Sequence, residues 1–298
     1  MPNTESLNPR FADIDKWPTI EAVEAMLEGQ LAAIATIKGQ TAEIALAAEA
    51  AASRLKDGGR LVYVGAGTSG RVAVQDGVEL GPTFGWPTSR LVYLMAGGLN
   101  ALVNSAEGAE DDAEDACLQI KGHQITADDI VVGVAASGRT PFTVAAIKAA
   151  NEIGALTIAI ANNDNTPLLA LAQHGLLAAT GSEAIAGSTR MKAGTAQKVI
   201  LNLLSTAIML RLGRVYRGLM VDMVISNDKL LNRAFGIVKT LSNCSDAAAI
   251  EAVHKAGNDI RTAVLIAMGQ DAESAIALLT EHKGVLRDAV EALDRNGL

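Results

Sequence analysis

Aromatic side chains are scarce. They make up 3% of the 298 residues: two Trp, three Tyr and four Phe. Packing in a chain this long then falls to Ala, Leu, Ile, Val and Gly, which let helices lie close on a parallel sheet. Cysteine is also rare. Cys117 and Cys244 make no disulfide framework, and each reads as a free thiol. No run of Lys or Arg occurs, and the net charge is -8. Nucleic-acid binding needs a concentrated basic patch, so that partner is not expected. An acidic chain that binds an anionic metabolite must use local donors, and amides at helix N-termini are the readiest. The most apolar run, 199–212, is broken by Asn202, Ser205, Thr206 and Arg211. It is too short and polar for a membrane span and reads as a core helix. Residues 1–16 carry Glu5, Asp13 and Asp15 without an apolar centre. That is no signal peptide, and a cytoplasmic protein is expected. His123, His174, His254 and His282 are scattered, and none pairs with a Cys or carboxylate at ligand spacing. No metal site is predicted.

What is present is an alternation. Short apolar runs at 60–64, 91–95, 130–135, 156–161 and 175–179 are continuous rather than alternating, the mark of strands buried on both faces. Helical patterns separate them at 72–79, 101–120, 142–153 and 167–173, after two more at 19–37 and 41–56. The order predicts a five-stranded parallel sheet with helices on both sides. A long helix at 190–212 follows. From 241 the pattern changes to short helices at 246–256, 259–268, 271–280 and 285–293. Ser245 before Asp246 reads as a helix N-cap. The expected division is therefore an α/β domain over 1–240 and a small helical, UBA-like subdomain over 241–298.

Two loops carry hydroxyl groups directly after strands. Gly65-Ala66-Gly67-Thr68-Ser69-Gly70-Arg71 follows the first, and Ser137-Gly138-Arg139-Thr140-Pro141 follows the third. Both open on the C-terminal edge of the sheet, where open α/β sheets bind ligands. Glycines allow tight turns, and the next helix offers unpaired N–H groups; together they suit a phosphate. The first loop also fits the dinucleotide pattern G-x-G-x-x-G. That reading requires an acid at the end of the second strand, where Met95-Ala96-Gly97-Gly98 stands instead. A third polar, Gly-spaced stretch, from Gly181-Ser182-Glu183 through Gly187-Ser188-Thr189-Arg190-Met191-Lys192 to Lys198, leads into the long helix. Ser188 or Thr189 can cap it, while Arg190 and Lys192 oppose its dipole, as charge directed at an anion would. Two carboxylates stand out: Glu79, ahead of Gly81-Pro82, and Glu110, in an acidic cluster that also suits a solvated helix start. Two carboxylates converging on a sugar can divide acid and base work.

Several segments in order resemble the N-acetylmuramic acid 6-phosphate etherase family, a branch of the sugar isomerase (SIS) proteins. They are LVYVGAGTSGR, ELGPTFG, EGAEDD, DIVVGVAASGRTPF, GSTRMKAGTAQK and LMVDMVISNDKL. The resemblance implies a three-layer αβα SIS fold and cleavage of the lactyl ether of N-acetylmuramic acid 6-phosphate to N-acetylglucosamine 6-phosphate and D-lactate. It implies no cofactor and a homodimer. It places the proton donor on Glu79 and the carbon-2 base on Glu110. Substrate and phosphate contacts then fall on Gly67, Thr68, Ser69, Ser137, Gly138, Thr140, Ser188 and Lys192. The chain departs from the family in having Val78-Glu79-Leu80 where Ser-Glu-Cys is common. An SIS isomerase and a sugar-phosphate-sensing regulator share the loops. An isomerase has no need of the EGAED glutamate, and regulators of this kind usually carry two SIS domains on a longer chain.

Overall fold

The computed structural model describes residues 3–104 and 106–296. The chain forms two compact units. The first comprises Met1–Gly77 and Ser89–Ile208, the second Val78–Thr88 and Met209–Leu298.

In the first unit the strands are β1 (Leu61–Gly65), β2 (Leu91–Met95), β3 (Ile130–Val134), β4 (Leu156–Ala161) and β5 (His174–Leu177). They form one parallel sheet in the order β2-β1-β3-β4-β5. Every residue of β1, β3 and β4 is buried, as their unbroken apolar character requires. The edge strands β2 and β5 are only partly buried. Side chains alternate across the sheet. Val62, Val64, Val92, Leu94 and Val131 join one core cluster with Ala116 and Ile120 of α4 (Ala113–Gly122) and Phe142, Ala146 and Ile147 of α5 (Pro141–Ile153). A side chain at Gly133 would meet Ile147 at 2.8 Å, so α5 lies close on β3. On the other side α2 (Thr41–Lys56) packs on β3, β4 and β5. The three-layer αβα arrangement is the expected one.

Two buried carboxylates of this unit are each paired with several donors. Asp129, 2% exposed, precedes β3. It accepts from the Arg60 backbone N at 2.9 Å, from Arg60 Nη2 at 2.7 Å and from the Thr126 backbone N at 2.9 Å. Asp76, 4% exposed, accepts from Tyr63 Oη at 2.9 Å, Asn202 Nδ2 at 2.6 Å and Ser205 Oγ at 3.0 Å. Burial pushes the Asp76 carboxyl up, against the opposing pull of these three donors. Asn202 and Ser205 belong to α7 (Lys192–Arg211). At 20 residues α7 is long and apolar enough by composition to cross a membrane, yet 56% of that window is buried in protein, as in a core helix.

The second unit is built on α8 (Asp228–Ser242), α9 (Asp246–Lys255), α10 (Ile260–Ala267), α11 (Ala272–Glu281) and α12 (Leu286–Asn296). Asn227, Ser245, Asp259 and Asp271 each accept a backbone N–H at the start of the next helix, at 3.0, 3.2, 2.8 and 2.8 Å. Each such cap contributes about 1 kcal/mol. The buried core runs from Tyr216 and Val221 through Ile237, Val253 and Val264 to Leu286 and Val290. Asp222, whose side chain is 5% exposed, pairs with Arg261 at 2.8 Å and Arg214 at 3.4 Å.

Three local expectations change. The boundary expected at 240 falls inside α8, whose Ile237, Val238 and Leu241 belong to the core of the second unit; the units part at 208/209 instead. The helix expected over 72–79 is α3, Gly67–Phe84, which starts on the loop glycine and carries Pro82 in its last turn. Only the few terminal N–H groups of a helix can be lost without cost, and Pro82 sits where one interior bond is forfeited. The helix expected over 101–120 is two short 3-10 turns, Leu99–Leu102 and Ala109–Asp111, followed by α4. Gly108 at φ +73 breaks the pattern, and Asp112 caps α4 by accepting from Asp115 N at 2.8 Å.

Burial alone would raise the Asp129 carboxyl, but the Arg60 and Thr126 donors outweigh it and hold it below the usual carboxylate value. Its stabilisation is therefore present at neutral pH and lost as the pH falls through and below the ordinary carboxylate pKa. Asp129→Ala leaves the Arg60 guanidinium partly buried without its carboxylate. Urea unfolding at pH 7 should show a loss of about 3–5 kcal/mol, and the loss should shrink in acid. A variant as stable as the parent at pH 7 contradicts this.

Candidate functional site

The strand order places the reversal of the sheet between β1 and β3. From β1 the chain goes outward to β2, then returns to the other side of β1 for β3. Open α/β sheets bind ligands at such a switch point, outside the carboxyl ends of the strands. Gly65 is paired with Val134, so the two hydroxyl-bearing loops leave the sheet side by side.

The first loop turns at once into α3. A side chain at Gly65 would meet Gly70 Cα at 2.8 Å, so strand and helix approach too closely for a Cβ. Gly70 N donates to Ala66 O at 3.1 Å. The N–H groups of Thr68 and Ser69, in the first turn, have no carbonyl within the helix to receive them. In the second loop Gly138 has φ +63, and a Cβ there would press on the Thr166 side chain at 2.5 Å. The turn is held by Gly138 N donating to Ala135 O at 3.0 Å and Arg139 N to Ser137 Oγ at 3.1 Å. Ser137 Oγ and Thr140 Oγ1 lie 3.5 Å apart. Thr140 occupies the N-cap position of α5 without capping it, and Pro141 follows. Its hydroxyl thus remains turned to its neighbour on the loop.

A cavity of about 520 Å³ opens here. Gly67, Thr68 and Ser69 of the first loop, Ser137 and Thr140 of the second, and Glu110 all line it. Two helix N-termini, those of α3 and α5, border it, and their dipoles favour an anion. Glu110 stands in the 3-10 turn before α4 and also lines an adjoining cavity of about 300 Å³ with Arg71. Arg71 fixes the loop on that side by donating to Ala101 O at 2.9 Å and Leu102 O at 3.1 Å.

Not every expected residue stands in this wall. Gly138 is buried and shapes the loop from behind. Gly187 and Thr189 line the cavity, on either side of Ser188. Lys192 Nζ donates to Thr180 O at 2.7 Å. Neither Ser188 nor Thr189 caps α7. Glu183, 1% exposed, does so, accepting from Lys192 N at 3.0 Å and Ala193 N at 2.9 Å. That carboxylate answers the dipole which Lys192, the first residue of α7, opposes; Arg190 stands before the helix. Glu79 is exposed on α3 and belongs to the second unit. Sequence reasoning placed Glu183 in the polar stretch but not as the cap, because nine residues separate it from the Lys192 N–H it accepts. It missed Asn163, whose Nδ2 donates to Ala136 O at 2.8 Å behind the second loop. Among the described residues no cluster of His, Cys, Asp and Glu could hold a metal.

The sheet order, the paired loops and the flanking helices define an SIS domain. The SIS domain model matches residues 112–207, the glucokinase regulatory protein N-terminal SIS domain matches 43–151, and the C-terminal lid domain of glucokinase regulatory protein matches 217–290. A phosphoheptose isomerase from Francisella tularensis shares the fold, with a TM-score of 0.50 and 20% identity over 64% of this chain and 98% of its own. Full-length relatives are closer. A protein of Streptomyces avermitilis is 44% identical over 98% of this chain and 94% of its own length, and one of Deinococcus radiodurans is 42% identical over 96% and 94%. Both are named N-acetylmuramic acid 6-phosphate etherase. The chain belongs to the N-acetylmuramic acid 6-phosphate etherase family.

If the cavity holds an anion through its loop hydroxyls, removing them must weaken it. Thr68→Val with Ser137→Ala should reduce inorganic phosphate affinity by about tenfold or more, since bonds to charged groups are the stronger kind. Calorimetry measures this, and unchanged affinity contradicts it.

Proposed function

We propose that the chain cleaves the D-lactyl ether of N-acetylmuramic acid 6-phosphate, giving N-acetylglucosamine 6-phosphate and D-lactate. The observation that carries the reading is its similarity, over nearly the whole chain, to relatives that bear this name. The cavity at the β1/β3 switch agrees with it, joining hydroxyl-rich loops suited to a phosphate with a carboxylate, Glu110.

The chemistry has two demands. The proton at carbon 2 is acidic only beside the opened aldehyde, and removing it needs a base, which we assign to Glu110. The ether oxygen at carbon 3 is a poor leaving group, so it must be protonated as the C–O bond breaks. We assign that proton to Glu79. Lactate departs, a carbon 2–carbon 3 double bond remains, and water adds at carbon 3 while carbon 2 regains a proton. Gly67, Thr68, Ser69, Ser137, Gly138 and Thr140 form or support the phosphate seat, with Ser188 and Lys192 at its margin. Remote binding of the phosphate supplies energy for orienting the reacting carbons. No organic cofactor or metal enters these steps.

In this reading the protein is cytoplasmic and works as a homodimer. Helix α1 (Thr19–Thr36) exposes Ile20, Val23, Leu27, Leu31 and Ile34, from 42% to 64% each, along one stripe. Such a stripe suits isologous pairing with a second copy, in which the same face meets itself. Leu27→Glu with Leu31→Glu should yield a monomer by sedimentation where the parent sediments as a dimer; equal sedimentation contradicts the pairing.

The activity test is D-lactate release from N-acetylmuramic acid 6-phosphate. Glu79→Ala should block release yet keep exchange of the carbon-2 proton with solvent deuterium. Glu110→Ala should lose both. Positioned acids and bases contribute roughly 10²–10⁴-fold each. Exchange lost in the first variant and kept in the second reverses the two roles. A parent that releases no lactate rejects the function.

A further inference from the structure

The segment Asn3–Glu5 forms a 3-10 turn that no strand or helix of the α/β layers requires. It is nonetheless tightly seated. Thr4 is 0% exposed. Its Oγ1 accepts from Asn163 Nδ2 at 3.0 Å, its N–H donates to Asn163 Oδ1 at 3.4 Å, and its carbonyl accepts from Gly187 N at 3.2 Å. Asn163 lies just beyond β4, and its Nδ2 also reaches Ala136 O, beyond β3. The N–H, hydroxyl and carbonyl of Thr4 are thus all engaged, by Asn163 just beyond β4 and by Gly187 in the loop ahead of α7. Leaving such groups buried without partners costs more than the bonds themselves contribute, which is why the turn is held in one place.

The next residue is the consequence. With Thr4 fixed, Glu5 lines the 520 Å³ cavity together with Thr68, Ser69, Ser137, Thr140 and Glu110. Gly187 leaves it room: a Cβ there would stand 2.9 Å from Glu5 Oε2. An ionised carboxylate only accepts hydrogen bonds. The loop hydroxyls and helix N-termini form the anion seat, and a carboxylate placed on the phosphate would repel it. Glu5 therefore belongs to the part of the cavity that meets groups able to donate.

We propose that Glu5, seated by the docking of Thr4 on Asn163 and Gly187, accepts hydrogen bonds from hydroxyl groups of the sugar and so selects a sugar phosphate over phosphate alone. This rests on the sugar-phosphate reading given above. Glu5 is a substrate-binding residue, and Thr4 and Asn163 are positioning residues that act through it.

The test uses the full chain and two probes, N-acetylglucosamine 6-phosphate and inorganic phosphate, in calorimetry. Glu5→Ala should weaken the sugar phosphate by about ten- to a hundredfold, the range for bonds to a charged group, and leave inorganic phosphate unchanged or slightly tighter. Thr4→Val, which keeps the shape and loses the hydroxyl, should show the same selective loss to a smaller degree. Glu5→Ala binding both probes as the parent does, or losing both alike, overturns the inference while leaving the etherase reading standing. A parent that binds inorganic phosphate but not the sugar phosphate overturns both. A lower melting temperature in Thr4→Val does not blur the outcome, because Glu5 is exposed and its truncation removes no buried contact.

Discussion

The pairing of Gly65 with Val134 in adjacent parallel strands is the constraint on which the cavity depends. It sets two strand ends side by side at the point where the sheet reverses direction. Each end then turns into a helix through a loop too tight for ordinary side chains, at Gly65–Gly70 and at Gly138. Because both helices begin at the sheet edge, their unpaired N–H groups border one space. A shift of a single residue in this register would exchange the faces of β1 and send Val62 and Val64 away from the α4–α5 core they fill. Core burial and site geometry are therefore fixed by the same hydrogen bonds.

That geometry answers the difficulty posed by a net charge of -8. The sequence has no run of Lys or Arg, Lys192 is engaged with the Thr180 carbonyl, and Arg139, which lines the cavity, donates to the Asn165 carbonyl at 3.2 Å. Attraction falls to helix dipoles and hydroxyl donors, which act at short range and need exact placement more than charge. Carboxylates are then free for other work around the same space. Glu183 caps α7, Glu110 faces two cavities, and Glu5 completes the wall from a distant part of the chain.

Much of this was legible before any coordinates. Continuous apolar runs gave the five strands to within a residue or two, because strands buried on both faces cannot carry polar alternation. The hydroxyls after β1 and β3 pointed to a common edge, since parallel strands all end there. Ser245 announced α9 through its side chain and the acid that follows it. The rest lay beyond local pattern. Helix α8 escaped notice because its mixed polar sequence is helical for the sake of contacts with α9 and α10. The helix expected to end at 79 runs on through Pro82 to Phe84, although that proline forfeits an interior bond. The α7 cap and the seat of Thr4 span 9 and 159 residues of sequence, and no periodicity connects such partners. Glu79 and Glu110 stood out by their setting, but their separate roles came only through resemblance, as carboxylates on exposed positions look alike in any acidic protein.

The central claim is that the cavity between the β1 and β3 loops seats the phosphate of an amino-sugar phosphate. A crystal structure of the chain with N-acetylglucosamine 6-phosphate tests it most directly. The account predicts phosphate oxygens within hydrogen-bond distance of the Thr68–Ser69 and Ser137–Thr140 groups, with the sugar extending past Glu110. A phosphate bound at any other edge of the sheet, with these loops empty, would contradict it.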